Sequence, residues 1–285
     1  MYDPKTNKFP YPERTDVHYL PVKKKKDYVF DKDYPYVDNS KYYRRRARFI
    51  RFLLWTVVWL VATIRLGLRI KGKKNLKIHK EELKGGAVSI CNHVHMWDYI
   101  AIMKAIRPRK PHVLVWDQNV TGENSFLCRY SGGIPVPVND IRANVSFVRQ
   151  TEKMINDGGW LHVYPESTMW EYYAKIRPFK KGASYFAIRT HKPIVPFVIT
   201  YRKPGWIRRK IFKQIALLTL NVGEPIYPNY DLPKDQIEEE LTRRSHATLV
   251  KMAGIEDNLY EPIFNDSKRI DYYTTEYGIG YKGSH

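Results

Sequence analysis

The sequence predicts an α/β fold, a mixed, mostly parallel sheet flanked by helices, preceded by an amphipathic membrane-associated helix. Three observations carry this. Short apolar runs of strand length recur near residues 86–91, 112–117, 159–164, 194–201 and 215–222. Helical patterns lie among them near 97–106, 122–130, 143–156 and 181–190. A chain of 285 residues with 43% hydrophobic content can bury one sizeable core.

Taken in order, residues 1–40 lack helical or strand periodicity and read as an extended polar segment whose many tyrosines pack on the domain. Residues 41–70 read as one helix. The run Arg44-Arg45-Arg46-Ala47-Arg48 abuts the 13 uncharged residues Phe52 to Ile64, and Arg65, Arg69 and Lys71 follow. Thirteen residues make a helix about 20 Å long, short of the roughly 30 Å hydrocarbon core, and cations flank both ends. The pattern is that of a monotopic, interfacial helix with arginines at phosphate headgroups and Trp55 and Trp59 at the acyl boundary. An ordinary helix packed on the domain is the competing assignment.

From 71 to 255 the alternating elements form the main domain. Gly158-Gly159 stops the 143–156 helix, Pro204-Gly205 turns into a basic loop Arg208-Arg209-Lys210, and a last helix from about Lys234 to Met252 closes at Gly254. The tail 256–285 is polar and aromatic without periodicity.

The net charge of +20 predicts an anionic partner. Residues 1–80 hold 21 Lys or Arg against 7 Asp or Glu, so the charge clusters around the apolar helix. That placement favours a membrane surface over nucleic acid. The opening is not a charged stretch followed by an apolar one, so no secretory signal is expected, and two cysteines are too few for a disulfide framework. A reduced cytosolic setting follows, with the protein at the cytoplasmic face of the cell membrane, peripheral or monotopic.

The segment Cys91-Asn92-His93-Val94-His95-Met96-Trp97-Asp98 places a histidine and an aspartate five positions apart. On an ideal helix that spacing leaves the two side chains roughly 140° apart. His93 therefore belongs in the strand-to-helix turn and Asp98 in the first helical turn, within reach of one imidazole nitrogen. A positioned general base is the simplest chemistry for such a pair. The alternative is a histidine satisfied at a surface or in the core.

Five blocks follow: Gly132-Gly133-Ile134-Pro135-Val136, Val163-Tyr164-Pro165-Glu166-Ser167-Thr168, Pro178-Phe179-Lys180-Lys181-Gly182-Ala183, Pro193-Ile194-Val195-Pro196 and Val222-Gly223-Glu224-Pro225-Ile226. In that order, behind His93 and Asp98, they resemble the lysophosphatidate (1-acyl-sn-glycerol-3-phosphate) acyltransferase family of glycerolipid acyltransferases over roughly residues 70–228. The resemblance implies a glycerolipid acyltransferase-like fold. The implied activity moves a fatty acyl chain from a thioester of coenzyme A or acyl carrier protein to a lysolipid hydroxyl. The donor is a co-substrate, and no bound cofactor or metal is implied.

It assigns His93 and Asp98 to catalysis and Gly133, Pro165, Glu166, Ser167 and Thr168 to acceptor binding. Glu166 equally suits a carboxylate tying down its own loop. Lys180 and Lys181 precede a helix whose first amides can face an anion. The chain departs from the family twice: Pro137-Val138 replaces an Asp-Arg pair, and Ser167 and Met169 replace Gly and Arg in the third block. Arg142, Arg177 and Lys180 are the nearby substitutes for phosphate recognition. Lysophosphatidate is the first acceptor expected, then another lysolipid or a glycolipid.

Two other classes compete. His93, His95 and Asp98 with His162 and Glu166 could hold a hydrolytic metal, and a non-catalytic membrane-binding protein would keep the basic helix while the site lay idle.

Overall fold

The computed structural model describes residues 29–122, 125–138 and 140–255. The expectations for 1–28 and for the tail from 256 lie outside the described residues. Residues 29–40 pack as their tyrosines suggest: Tyr36 is buried edge-on against Phe147, and Gln150 bonds the Val37 amide and the Tyr34 carbonyl.

Seven strands form one sheet: β1 (Arg69–Lys71), β2 (Ala87–Ile90), β3 (Pro111–Trp116), β4 (Gly133–Val136), β5 (Trp160–Val163), β6 (Ile194–Arg202) and β7 (Leu217–Val222), in the spatial order β1-β7-β6-β2-β5-β3-β4. All neighbours are parallel except β6 and β7, so the sheet is mixed and mostly parallel, as the alternating pattern predicts. β2 and β5 are wholly buried, which explains why both read as continuous apolar runs rather than alternating ones.

The helices are α1 (Lys41–Leu66), α2 (Lys73–Ile78), α3 (Asp98–Ala105), α4 (Asp117–Thr121), α5 (Ser125–Ser131), α6 (Ile141–Asn156), α7 (Gly182–Thr190), α8 (Trp206–Lys210) and α9 (Lys234–Ala253). Local chemistry sets their ends. The Asp140 carboxylate caps α6 by accepting from the Ala143 amide, and Gly158 at φ +87° lets the chain turn back after it. Gly254, at φ +68°, closes α9.

Three sequence expectations are corrected here. The helix expected over 41–70 ends at Leu66; Gly67 takes a left-handed conformation and residues 69–71 become edge strand β1. The helix expected at 122–130 is present as α5, with the short α4 just before it, but the basic segment 208–210 is helical rather than a loop.

The third concerns α1. It is continuous for 26 residues, with a π-helical turn at Leu54–Val58, and is long and apolar enough to cross a membrane. The uncharged run understates it because the helix continues through its flanking cations. One side packs on the domain through Tyr43, Ala47, Ile50 and Leu54, meeting Ile100 and Met103 of α3 and Tyr130 of α5. Trp55 and Trp59 turn toward the domain, where Lys104 bonds the Trp55 carbonyl at 3.0 Å and lies over the Trp59 ring, and Arg107 lies over Trp55. Exposed apolar side chains are instead Phe49, Phe52, Val57, Leu60, Val61 and Ile64.

Candidate active site

His93 follows β2 in the turn before α3, where parallel-sheet ligand sites form beyond the carboxyl ends of the strands. Two clamps fix the turn. Asn92 continues the β2–β6 pairing with its side chain, accepting from the Ile199 amide at 2.8 Å and donating to the Ile199 carbonyl at 3.1 Å. From the other side the segment after β5 adds its backbone: the Trp170 amide donates to the His93 carbonyl and the Tyr172 amide to the Val94 carbonyl.

The Asp98 carboxylate sits at the first turn of α3 and gathers four donors. His93 Nδ1 lies 2.9 Å from Oδ2, the Val94 and His95 amides reach the same oxygen, and the Tyr164 hydroxyl donates to Oδ1 at 2.5 Å. Burial pushes this carboxyl up, but the charge and hydrogen bond of His93 and the Tyr164 hydroxyl outweigh it and hold it below its ordinary value. Asp98 therefore stays ionised as a partner for the imidazole. Tyr164 also stacks on the His93 ring, centroids 3.9 Å apart and planes 14° from parallel. With Nδ1 committed, Nε2 of the partly exposed His93 is the nitrogen that can meet a substrate.

Glu166 and Arg177 face each other inside the protein. Glu166 accepts from the His93 amide at 2.9 Å and the Arg177 amide at 2.8 Å, and its Oε2 pairs with Arg177 Nη2 at 2.8 Å. Arg177 also donates to the Thr168 hydroxyl at 2.7 Å and to the Thr168 carbonyl, with its guanidinium over the Trp170 ring. All three residues are buried, so the Glu166, Thr168 and Arg177 set ties the segment 165–177 to the His93 turn. This matches the loop-tying alternative for Glu166.

Ser167 has φ +64°, the left-handed region that favours glycine, and its hydroxyl has no partner among the described residues. The family glycine at this position therefore has a backbone reason, and serine occupies it under strain of about 1 kcal/mol. The Pro165 carbonyl accepts from the Lys180 amide at 2.8 Å, bringing the exposed Lys180 to this edge. Lys181 pairs with Glu239 of α9 at 3.0 Å.

Gly133 is not brought to the group. It starts β4, the strand end away from His93, and a β-carbon there would stand 2.8 Å from the Cys128 carbonyl oxygen. It is a packing glycine. The block at Val222 is likewise structural: the Asn75 side chain donates to the Val222 carbonyl and the Gly223 amide to the Pro196 carbonyl. An open cavity of about 610 Å³, bordered by Lys71, Asn221, Glu224 and Arg244, lies beside that block at the edge opposite His93.

The histidines of the metal alternative are otherwise engaged. His95 Nδ1 accepts from the Trp97 amide at 3.1 Å, and His162 Nδ1 lies 2.9 Å from the Ser89 hydroxyl. Among the described residues no group of three or more His, Cys, Asp or Glu is arranged to hold a metal ion. Sequence reasoning missed Asn92 as a clamp and Tyr164 as a partner of Asp98; the position of Tyr164 beside Pro165-Glu166 was the available signal.

The Acyltransferase family model matches residues 67–200. A Caenorhabditis elegans protein named as a 1-acyl-sn-glycerol-3-phosphate acyltransferase, acl-2, is 30% identical over 56% of this chain and 57% of its own length. Human 1-acyl-sn-glycerol-3-phosphate acyltransferase beta is 26% identical over 49% of this chain and 50% of its own. The chain thus spans about half the length of the curated relatives it matches. The 1-acyl-sn-glycerophosphate acyltransferase PlsC from Thermotoga maritima aligns with a TM-score of 0.45 at 15% identity, covering 76% of this chain and 85% of that one.

Proposed function

We propose that this chain, which carries an acyltransferase-family domain over residues 67–200, moves a fatty acyl group from a thioester to a lysolipid hydroxyl. The observation that carries the reading is the 2.9 Å pair of His93 Nδ1 and Asp98 at the open end of the sheet. His93 Nε2 takes the hydroxyl proton as the oxygen attacks the acyl carbonyl. The new ester bond forms, the carbon–sulfur bond breaks, and the proton passes from His93 to the leaving thiolate. Asp98 stabilises the imidazolium in between.

No acyl-enzyme is needed. Cys91, the cysteine nearest the histidine, is fully buried, and burial pushes its thiol well above the ordinary value, the opposite of an activated nucleophile.

Lysophosphatidate is the first acceptor, on the strength of the relatives' names, and the exposed Lys180 is the cation available to its phosphate. Arg177 serves the reading as a positioning residue, since its guanidinium is spent on Glu166 and Thr168. Coenzyme A and acyl carrier protein both remain suitable thioester carriers.

The protein works at a membrane. Helix α1 is clasped along one side by the domain and bare on its other apolar side, which suits lying in the interface better than crossing it. The polybasic run 44–48 favours an anionic surface, and the cytoplasmic leaflet is the site proposed.

The experiment is lipid mass spectrometry after incubating the protein with an acyl donor and a panel of lysolipids, lysophosphatidate among them. A new diacyl product from one acceptor supports the reading. No product from any acceptor, by a folded protein with either donor, sinks it.

A further inference from the structure

The connection between β6 and β7 carries four large apolar side chains that nothing among the described residues covers: Trp206, Ile207, Ile211 and Phe212, each 56–64% exposed. Leaving them in water is unfavourable, and a contiguous patch of this kind usually marks an interaction surface. The residues around them are all of one sign. Between Arg202 and Gly223 the sequence contains Arg202, Lys203, Arg208, Arg209, Lys210 and Lys213 and no Asp or Glu.

The patch is not isolated. Arg208 Nη1 donates to the Ile64 carbonyl at 2.9 Å, fixing α8 against the end of α1, where the exposed stripe of Val57, Leu60, Val61 and Ile64 finishes. Its place in the fold is also informative. β6 runs parallel to β2, so the connection leaves the sheet at the edge from which His93 projects, and Tyr201 just before it bonds the Tyr173 carbonyl of the segment clamping the catalytic turn. Apolar tips within a ring of cations, continuous with an apolar helix face and beside the catalytic edge, complement an anionic lipid surface in both shape and charge.

We propose that residues 203–213 are a second bilayer-binding element. Trp206, Ile207, Ile211 and Phe212 enter the headgroup and acyl boundary while Lys203, Arg209, Lys210 and Lys213 hold lipid phosphates. Together with α1 the element seats the protein at two points and turns the His93 edge toward the leaflet from which a lysolipid would arrive. The inference rests on the membrane part of the function proposed above and adds where the protein touches the bilayer.

Vesicle flotation of the full chain tests it, with vesicles of phosphatidylcholine plus phosphatidylglycerol and of phosphatidylcholine alone. Removing two apolar tips with Trp206→Ser and Phe212→Ser weakens partition to the mixed vesicles roughly tenfold or more. Arg209→Gln with Lys210→Gln weakens it on mixed vesicles by roughly tenfold and leaves pure phosphatidylcholine binding unchanged. Unchanged thermal melting shows that the variants fold, and Ile211→Ser is a milder substitute should the double variant fail to. Wild-type binding that all these variants retain overturns this inference alone; absence of wild-type binding overturns the membrane reading with it. Conversion of a vesicle-free dimer to monomer by Trp206→Ser, with vesicle binding intact, makes the patch an interface between copies and also overturns it. Acyl transfer to a detergent-dispersed lysolipid is unchanged in the variants, so failure of the catalytic reading is scored separately.

Discussion

Tyr164 does two jobs with one side chain: its ring lies flat on His93 and its hydroxyl donates to the carboxylate that holds His93. Tyr164→Phe keeps the stack and removes the donor, a loss worth about 1.5–3 kcal/mol when the partner is charged. Asp98 then directs more of its negative charge at the imidazole. With the carboxylate less firmly held, kcat is expected to fall roughly tenfold at unchanged melting temperature; a folded variant with wild-type kcat contradicts the role. At this scale His93 and Asp98 were legible because their spacing is incompatible with one helical face. Tyr164 and Asn92 were not, because their partners lie 66 and 107 residues away in the chain, which spacing along one segment cannot register. Gly133 misled for the converse reason, since a glycine needed for packing and one needed for a ligand look alike in sequence.

The segment 165–177 is the element that converts a strand end into a site. It lends backbone donors to His93 and Val94 and carries the buried Glu166, Thr168 and Arg177 set beneath them. Removing one member of a buried ion pair strands the other, at a cost of roughly 3–5 kcal/mol. Arg177→Ala is therefore expected to lower the unfolding free energy by several kcal/mol, measured by urea denaturation, and to reduce kcat. A variant with unaltered stability and a raised KM for a phosphorylated acceptor would make Arg177 the phosphate ligand instead. The strands of this region were readable as apolar runs bounded by Gly and Pro. The irregular segment was not, because its order comes from side chains that meet only in the fold. Helix α1 was readable as apolar and basic, but the face it bares is set by packing on the domain, where Lys104 of α3 and Arg107 just after it meet Trp59 and Trp55, so both tryptophans were placed on the wrong side.

For the whole molecule, the sheet is built around histidines held neutral. Burial, with Arg51 nearby in the first case, depresses His112 and His162 to about 3, and burial depresses His246 to about 4. A histidine whose folded value is lowered binds its proton first in the unfolded chain. Stability is therefore full above about pH 6.5 and declines as pH falls through that value toward the folded values. Between pH 7 and about 5.5 each contributes a loss of about 1 kcal/mol. Asp98, also held low, loses stability in the same direction but only below its ordinary value near 3.8, so it leaves this window untouched. Denaturation midpoints should therefore drop steadily from pH 7 to 5.5, with a shallower slope in His246→Gln; a flat midpoint contradicts the assignment. The α/β class and the mostly parallel sheet were visible from alternation of strand and helix patterns alone, whereas edge strand β1 has only three residues and edge strand β4 carries Gly133 and Pro135, which weaken a strand pattern.

The central claim is that His93, aimed by Asp98, removes the proton from a lipid alcohol. Acyl transfer to a lysolipid, measured by mass spectrometry for wild type and His93→Ala at matched secondary structure and melting temperature, tests it most directly. The account predicts a loss of several orders of magnitude in turnover with little change in KM. Near-normal transfer by the folded variant would contradict it.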